Sequence, residues 1–185
     1  MNNDAENIIR LHGLTIDLCA KRTDDEAIQT YARWMNDEDF IHYLSRNTKT
    51  ATVRDEREWA ERKNEENEHV FNIVTKEGHL IGNCDICTYH NGVCGSLGIC
   101  IGEKGAWGKG YGTEAIKMLI KYGFEELRVE NISLWVVATN ARALSCYLKA
   151  GMKKCGTLHK SLFIGGEYVD MHQLEILRED CYGSE

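Results

Sequence analysis

The sequence contains no proline, and it shows no repeat, low-complexity tract or Gly/Ser-rich stretch. Nothing in it reads as a linker, so no domain boundary is placed along its 185 residues. Long apolar runs are missing as well. The longest, LWVVA at 134–138, falls far short of the roughly 20 residues that a membrane-spanning helix needs. The N-terminal MNNDAENIIRLHGLTIDL has no basic region followed by an apolar stretch, so neither secretion nor membrane insertion is expected and the location expected is cytoplasmic. Positive charge is in deficit: 22 Lys and Arg against 29 Asp and Glu leave a formal net charge of −7. That balance argues against general nucleic-acid binding while leaving room for a local cationic pocket.

What is present suits one globular domain with a sizeable core, at 43% hydrophobic and 28% charged residues. The eight cysteines are scattered, without the spacing of a disulfide scaffold, and read as free thiols. Cys84 and Cys87 form a CxxC, but LIGNCDICTYH reads as a strand, on which positions three apart face opposite ways. No second CxxC or spaced histidine pair completes a zinc site, and no metal is expected.

Hydrophobic periodicity predicts a strand near 14–19, a helix over 24–37 and a short helix around 37–45. Thr52 with Asp55 predicts a capped helix in TVRDEREWAERKNEENE, its exposed side strongly acidic. The runs HVFNIVT and LIGNCDICTYH, joined by KEGH, predict a hairpin, and the Asn91-Gly92 turn leads to a third strand in CGSLGICIG. A helix after the glycines, a strand in NISLWVVA, a helix in ARALSCYLKA closed by Gly151 and two strands linked by GGE complete the chain. The result is an α/β layout around a mixed sheet.

WGKGYGTEAIKMLIKYGF at 107–124 places Gly108, Gly110 and Gly112 directly before a helix. Bare backbone at a helix entrance leaves N–H groups without intrahelical partners and lets an anion approach, so the stretch is read as a phosphate site. A Walker loop is absent. GYGTEA matches the dinucleotide pattern GxGxx[GA], and Glu130 lies near the distance of a ribose-binding acid. The hairpin meander before the motif, with only about one strand-helix unit after it, counts against that fold.

Downstream, ATNARALSCYLKAGM sharpens the reading. Residues 107–112 follow the pattern [QR]xxGx[GA] with Trp107 departing at its first position. Asn140, Ala143, Tyr147, Lys149, Gly151 and Met152 meet NxxAxxxYxKxG[FM] in full. Together these resemble the GNAT superfamily of acetyl-CoA-dependent N-acetyltransferases. YARWMND, FNIVTKEGHLIGN and GTLHKSLFIGGEYVDMHQLEIL extend the resemblance to its RimJ/RimL-like branch, which acetylates N-terminal α-amines of ribosomal proteins and, in relatives, polyamines or antibiotics.

The resemblance implies a GNAT-type fold, a mixed and mostly antiparallel sheet flanked by helices, over 10–178 with short tails at 1–9 and 179–185. It implies acetyl-CoA as co-substrate and a primary amine as acceptor, attacking directly without a metal. Ile99, Cys100 and Ile101 would lie beside the pantetheine arm. The N–H groups from Trp107 through Gly108, Lys109, Gly110, Tyr111 and Gly112 to Thr113 would hold the pyrophosphate, with the Lys109 and Lys104 side chains as added charge or merely solvated. Asn140 would bond the cofactor arm, cap its helix, or do both. Tyr147 would protonate the departing thiolate.

Many relatives carry a glutamate where this chain has Ser96, in SLGI, so a base is missing there. Glu103 is the nearest acid along the chain, read either as that base or as a brace for the loop. Without a dedicated base, acceptors of low pKa such as N-terminal α-amines are expected to outperform lysine side chains. A non-catalytic acetyl-CoA-binding module and a nucleotide-binding oxidoreductase are the competing readings, and the oligomeric state, monomer or homodimer, is left open.

Overall fold

A computed structural model describes residues 9–41, 50–62 and 65–183. The chain runs β1 (Ile9–His12), β2 (Ile16–Ala20), α1 (Asp25–Met35), α2 (Glu38–Ile41), α3 (Val53–Glu61), β3 (Glu68–Thr75), β4 (Leu80–Tyr89) and β5 (Cys94–Ile101). A single 3₁₀ turn at Lys104–Ala106 then leads into α4 (Tyr111–Glu125), β6 (Asn131–Val137), α5 (Ala141–Lys149), β7 (Lys153–Ile164), β8 (Glu167–Leu177) and α6 (Arg178–Tyr182). The strands form one eight-stranded sheet in the order β1-β2-β3-β4-β5-β6-β8-β7. Every pairing is antiparallel except β5 with β6.

That exception positions the site. β5 and β6 pair only through Cys94, Gly95 and Ser96 against Asn131, Ile132 and Ser133. Beyond those residues the strands separate, and the second half of β5 has a ladder partner on one side only, β4. Backbone groups turned away from β4 there need another partner.

Two apolar clusters sandwich the sheet. On one face α4 contributes Ala115, Ile116, Leu119 and Phe124 against Ile73, Ile86 and Ile132. With Ile120 and Gly123, also buried, these residues recur at three- and four-residue spacing along α4, which is why it lies flat on the strands. On the other face Ile28, Tyr31, Trp34, Phe40 and Ala60 of α1, α2 and α3 form the second cluster, with Cys100 packed against it.

Local rules account for the helix starts. Asp24 caps α1 by accepting from the N–H of Ala27 at 3.0 Å. Thr52 and Asp55 form a reciprocal capping box on α3, as the sequence predicts. α3 ends at Arg62 rather than continuing, because Arg62 leaves helical geometry and its guanidinium pairs with Glu68 at 2.9 Å at the start of β3. Of the short helix expected at 37–45, α2 is seen, and residues 42–45 lie outside the described residues.

β1 was not anticipated, and β2 begins two residues later than expected. Residues 13–15 instead form a turn in which Leu14 is 92% exposed. The Glu114 carboxylate, reaching over from α4, accepts from the N–H groups of Leu14 and Thr15 and from the Thr15 hydroxyl. The described residues contain no helix long and apolar enough to cross a membrane.

Candidate active site

After β5 the chain turns tightly and enters α4 through two glycines in left-handed geometry, Gly108 at φ 75° and Gly110 at φ 90°. Gly110 is the N-cap and offers no side chain to the helix end. The N–H groups of residues 108–113 therefore have no acceptor among the described residues. They are grouped at the positive end of a 15-residue helix. Trp107 stands apart from this set, since its N–H closes the preceding turn onto the Lys104 carbonyl at 3.1 Å. Its indole has another use. Nε1 donates to the Ile101 carbonyl at 2.7 Å and ties the loop to the end of β5, while the Arg142 guanidinium stacks 3.6 Å from the ring centroid.

Helix α5 forms the facing wall. Asn140 Oδ1 accepts from the N–H of Ala143 at 3.0 Å, so this residue caps α5 and also lines the cleft. Thr113 Oγ1 donates to Cys146 Sγ at 3.5 Å and joins α4 to α5. Tyr147 is only 7% exposed, and its hydroxyl, which opens on the cleft, has no partner among the described residues. Burial, with the neighbouring Cys146, Cys100 and Asp85, pushes the phenol far above its ordinary range. It stays protonated at any physiological pH and can serve as an acid.

The cleft encloses about 1290 Å³. It brings together Ile99, Cys100, Ile101, Trp107, Gly108, Gly110, Tyr111, Gly112, Thr113, Asn140 and Tyr147, residues that span the chain from β5 to α5. Three other candidates lie elsewhere. The side chains of Glu103 and Lys109 line a separate cavity of about 670 Å³ beside α1, where Glu103 pairs with Arg33 at 2.8 Å. Lys104 is held by Asp37 at 2.9 Å and Asp39 at 2.6 Å. Cys84 is buried in the core and Cys87 lines the cleft, so the CxxC residues occupy opposite faces of β4.

The structure adds residues that sequence reasoning missed. Tyr31, Trp34, Glu56, Trp59, Glu68 and Asp85 line the cleft opposite the loop, and Arg142 lies beside Trp107. For Asp85 a signal existed. Asn83, Asp85 and Cys87 alternate with Cys84 and Ile86 in the middle of the sheet, and a polar face on a central strand must look onto something other than core.

The acetyltransferase (GNAT) domain family matches residues 18–153. The chain belongs to this family. It is similar to the probable N-acetyltransferase YjcK of Bacillus subtilis, 31% identical over 66% of this chain and 69% of that protein. It is also similar to the spermidine N(1)-acetyltransferase of Escherichia coli, 38% identical over a 61-residue stretch that is 33% of each chain. Among solved structures, the spermidine N-acetyltransferase of Vibrio cholerae in complex with CoA and spermine superposes with a TM-score of 0.79, covering 90% of this chain and 97% of that one at 21% identity.

As a GNAT acetyltransferase the chain uses acetyl-CoA, and its cleft has the polarity such a reaction needs. The free N–H groups suit a pyrophosphate, and on the side formed by α4 and α5 the described residues Lys117, Arg142 and Lys149 line the cleft with Glu114, whose carboxylate is already committed to residues 14 and 15. On the side formed by α1, α3, β3 and β4, Asp55, Glu56, Glu68 and Asp85 line the cleft with Arg62, Tyr31, Trp34 and Trp59, and the Lys21 ammonium lies 4.8 Å from the Trp59 ring centroid. Phosphates are favoured at one end and cations at the other.

Proposed function

We propose that this enzyme transfers an acetyl group from acetyl-CoA to a primary amine that carries further positive charge, a small polyamine being the class that fits best. The observation that carries this reading is the acceptor end of the cleft, where four carboxylates outnumber the two cations beside them among the described residues, Arg62, already paired with Glu68, and Lys21, already bonded to the Trp59 and Arg62 carbonyls. A flexible polycation gains from such a wall by charge and, at Trp59, the one of its three rings that is not buried, by cation–π contact. The spermidine acetyltransferases among its relatives support the same choice.

In this reading the N–H groups of residues 108–113 hold the pyrophosphate, Arg142 adds charge beside them, and the unpaired edge of β5 at residues 97–100 bonds the pantetheine arm. Ile101 takes part through its side chain, since its carbonyl already accepts from Trp107. Tyr147 gives its proton to the departing thiolate. Glu103, anchored to Arg33, braces the loop from behind. The whole of residues 10–178 acts as one domain in the cytoplasm. The deciding experiment is thiol release from acetyl-CoA with a panel of polyamines, N-terminal peptides, lysine peptides and aminoglycosides. Higher kcat/KM for spermidine or spermine than for the peptides is expected. A preference for N-terminal peptides would overturn the polyamine reading and restore the RimJ/RimL-like one.

A further inference from the structure

Direct acyl transfer to an ammonium needs a group to take the amine's first proton, and the cleft contains one that no motif points to. Asp85 lies mid-strand on β4, directly opposite Gly98 of β5. Residues directly opposite in an antiparallel pair share a face, so Asn83, Asp85 and Cys87 share theirs with Cys100, Gly98 and Ser96. The Asp85 carboxylate lies over the bare backbone of Gly98: a Cβ added there would stand 2.5 Å from Asp85 Oδ1. Glycine at 98 thus keeps open the place the carboxylate occupies, on the stretch of β5 that lacks a partner in β6.

Three of the other four carboxylates that line the cleft have assigned duties. Asp55 closes the α3 capping box, Glu68 pairs with Arg62, and Glu114 holds residues 14 and 15. Asp85 has no cation within ion-pair distance among the described residues, and its one bond is the long contact with the Cys87 thiol at 3.8 Å. A partly buried carboxylate in that condition is costly unless a cation from outside completes it.

We propose that Asp85 is the catalytic base of this enzyme, accepting the first proton of the substrate ammonium across the cleft from Tyr147. This rests on the acyl transfer to an amine described above. Asp85 takes one proton from R–NH₃⁺ and passes it to water, and the neutral nitrogen attacks the thioester carbonyl. As the adduct collapses, the C–S bond breaks and Tyr147 Oη protonates the thiolate. The nitrogen gives up its second proton to restore the phenol, so the products are amide, CoA thiol and one proton in solution.

The surroundings favour this role. Burial holds the carboxyl above its ordinary range, with Glu68 on β3 adding to the rise and the Cys87 thiol opposing it. The other titratable groups facing the site are Glu56 on α3, Cys100 on β5, and Cys146 and Tyr147 on α5, with Arg62 engaged by Glu68. A carboxylate of raised pKa is a stronger base than one in water.

The test compares wild type with Asp85→Asn and Asp85→Glu, using acceptors of different pKa. An amine near pKa 10 is neutral in only about one molecule in a thousand at pH 7, whereas an α-amine near pKa 8 is neutral in about one in ten. With spermidine, Asp85→Asn should lose about 100-fold in kcat while the acetyl-CoA Kd by calorimetry holds, and Asp85→Glu should recover part of the rate. With glycinamide the loss should shrink to a few-fold. The acid limb of the wild-type profile should vanish in Asp85→Asn, leaving activity that climbs with pH along the amine's own titration. An equal loss for both amines, or a raised KM with kcat intact, would make Asp85 an anchor and overturn the proposal. If spermidine is no substrate but α-amines are, the polyamine reading fails alone, and the comparison between variants then runs on α-amines of graded pKa with the same expected dependence.

Discussion

The two ends of the cleft are built in different ways. In the proposed reading the groups that bind at the cofactor end are backbone N–H donors from one contiguous stretch, residues 108–113, set by two glycines in left-handed geometry at the mouth of α4. At the acceptor end they are side chains on α1, α3, β3 and β4, brought together only when the sheet has formed. A backbone site tolerates almost any side chains provided the glycines remain. A side-chain site can be rewritten one residue at a time, which suits the end of the enzyme that must choose among amines.

The sharpest way to break the comparison is at Gly110. Its φ of 90° is costly for any β-branched residue, by roughly 1–3 kcal/mol. There is open space where the Cβ would go, so the damage comes from backbone rotation rather than collision. Gly110→Val should turn N–H groups away from the pyrophosphate and weaken acetyl-CoA binding about 100-fold or more by calorimetry. Native-like circular dichroism with unchanged affinity would mean that the phosphates lie elsewhere.

Next in size is Tyr147→Phe, which keeps the buried ring and removes its proton. Steady-state turnover should fall about 100-fold at constant acetyl-CoA affinity. Because burial keeps the phenol protonated, the wild-type enzyme should show no loss of rate from Tyr147 ionisation anywhere below pH 10. A fall in kcat of only a few-fold would reduce Tyr147 to packing.

This contrast also explains what could be read from the sequence. The glycine loop, the Asn140 cap, the position of Tyr147 and the Thr52–Asp55 box are local features, written within a few residues and independent of what packs on them. The sheet was legible too, because β3, β4 and β5 are long alternating runs closed by turns. β1 was not, since a strand of four residues carries no pattern of its own, and its turn is fixed by Glu114 from 99 residues away in sequence. Glu103 and Lys109 show the same limit in the site. Glu103 precedes the loop and Lys109 lies within it, yet both line a second cavity, because proximity along the chain does not say on which side of a turn a side chain emerges. The acceptor wall needs Glu56 and Asp85 from separate elements, and only the tertiary fold joins them.

A smaller effect is expected at Arg142. Its guanidinium rests on the Trp107 ring at the position where the resemblance pattern would have had a polar residue, so it supplies charge that Trp107 lacks. Arg142→Ala should weaken acetyl-CoA about five- to tenfold at low salt. The difference should narrow as ionic strength rises and screens the phosphate. A gap that is indifferent to salt would show that Arg142 only packs on the indole.

The smallest effect tests whether the two ends are energetically separate. Thr52 Oγ1 accepts from the N–H of Asp55 at 3.1 Å, and Asp55 Oδ2 accepts from the N–H of Thr52 at 2.8 Å. This box fixes the start of α3, the helix that carries Glu56 and Trp59 into the acceptor wall. Thr52→Ala removes one half of it and should lower Tm by about 2–4 °C. The Asp55 carboxyl sits below its ordinary range because Thr52 bonds its charged form. Its stabilising effect is therefore present above the ordinary carboxylate pKa and fades as pH falls through the lowered one, so the two melting curves should converge in acid. At neutral pH the variant should raise the KM for the amine by about two- to threefold, as expected for a wall held by a helix that frays. The Kd for acetyl-CoA, which the proposed reading assigns to the backbone at residues 108–113, should not move. If both constants rise together, α3 supports the whole cleft and the division between a backbone-built end and a side-chain-built end fails.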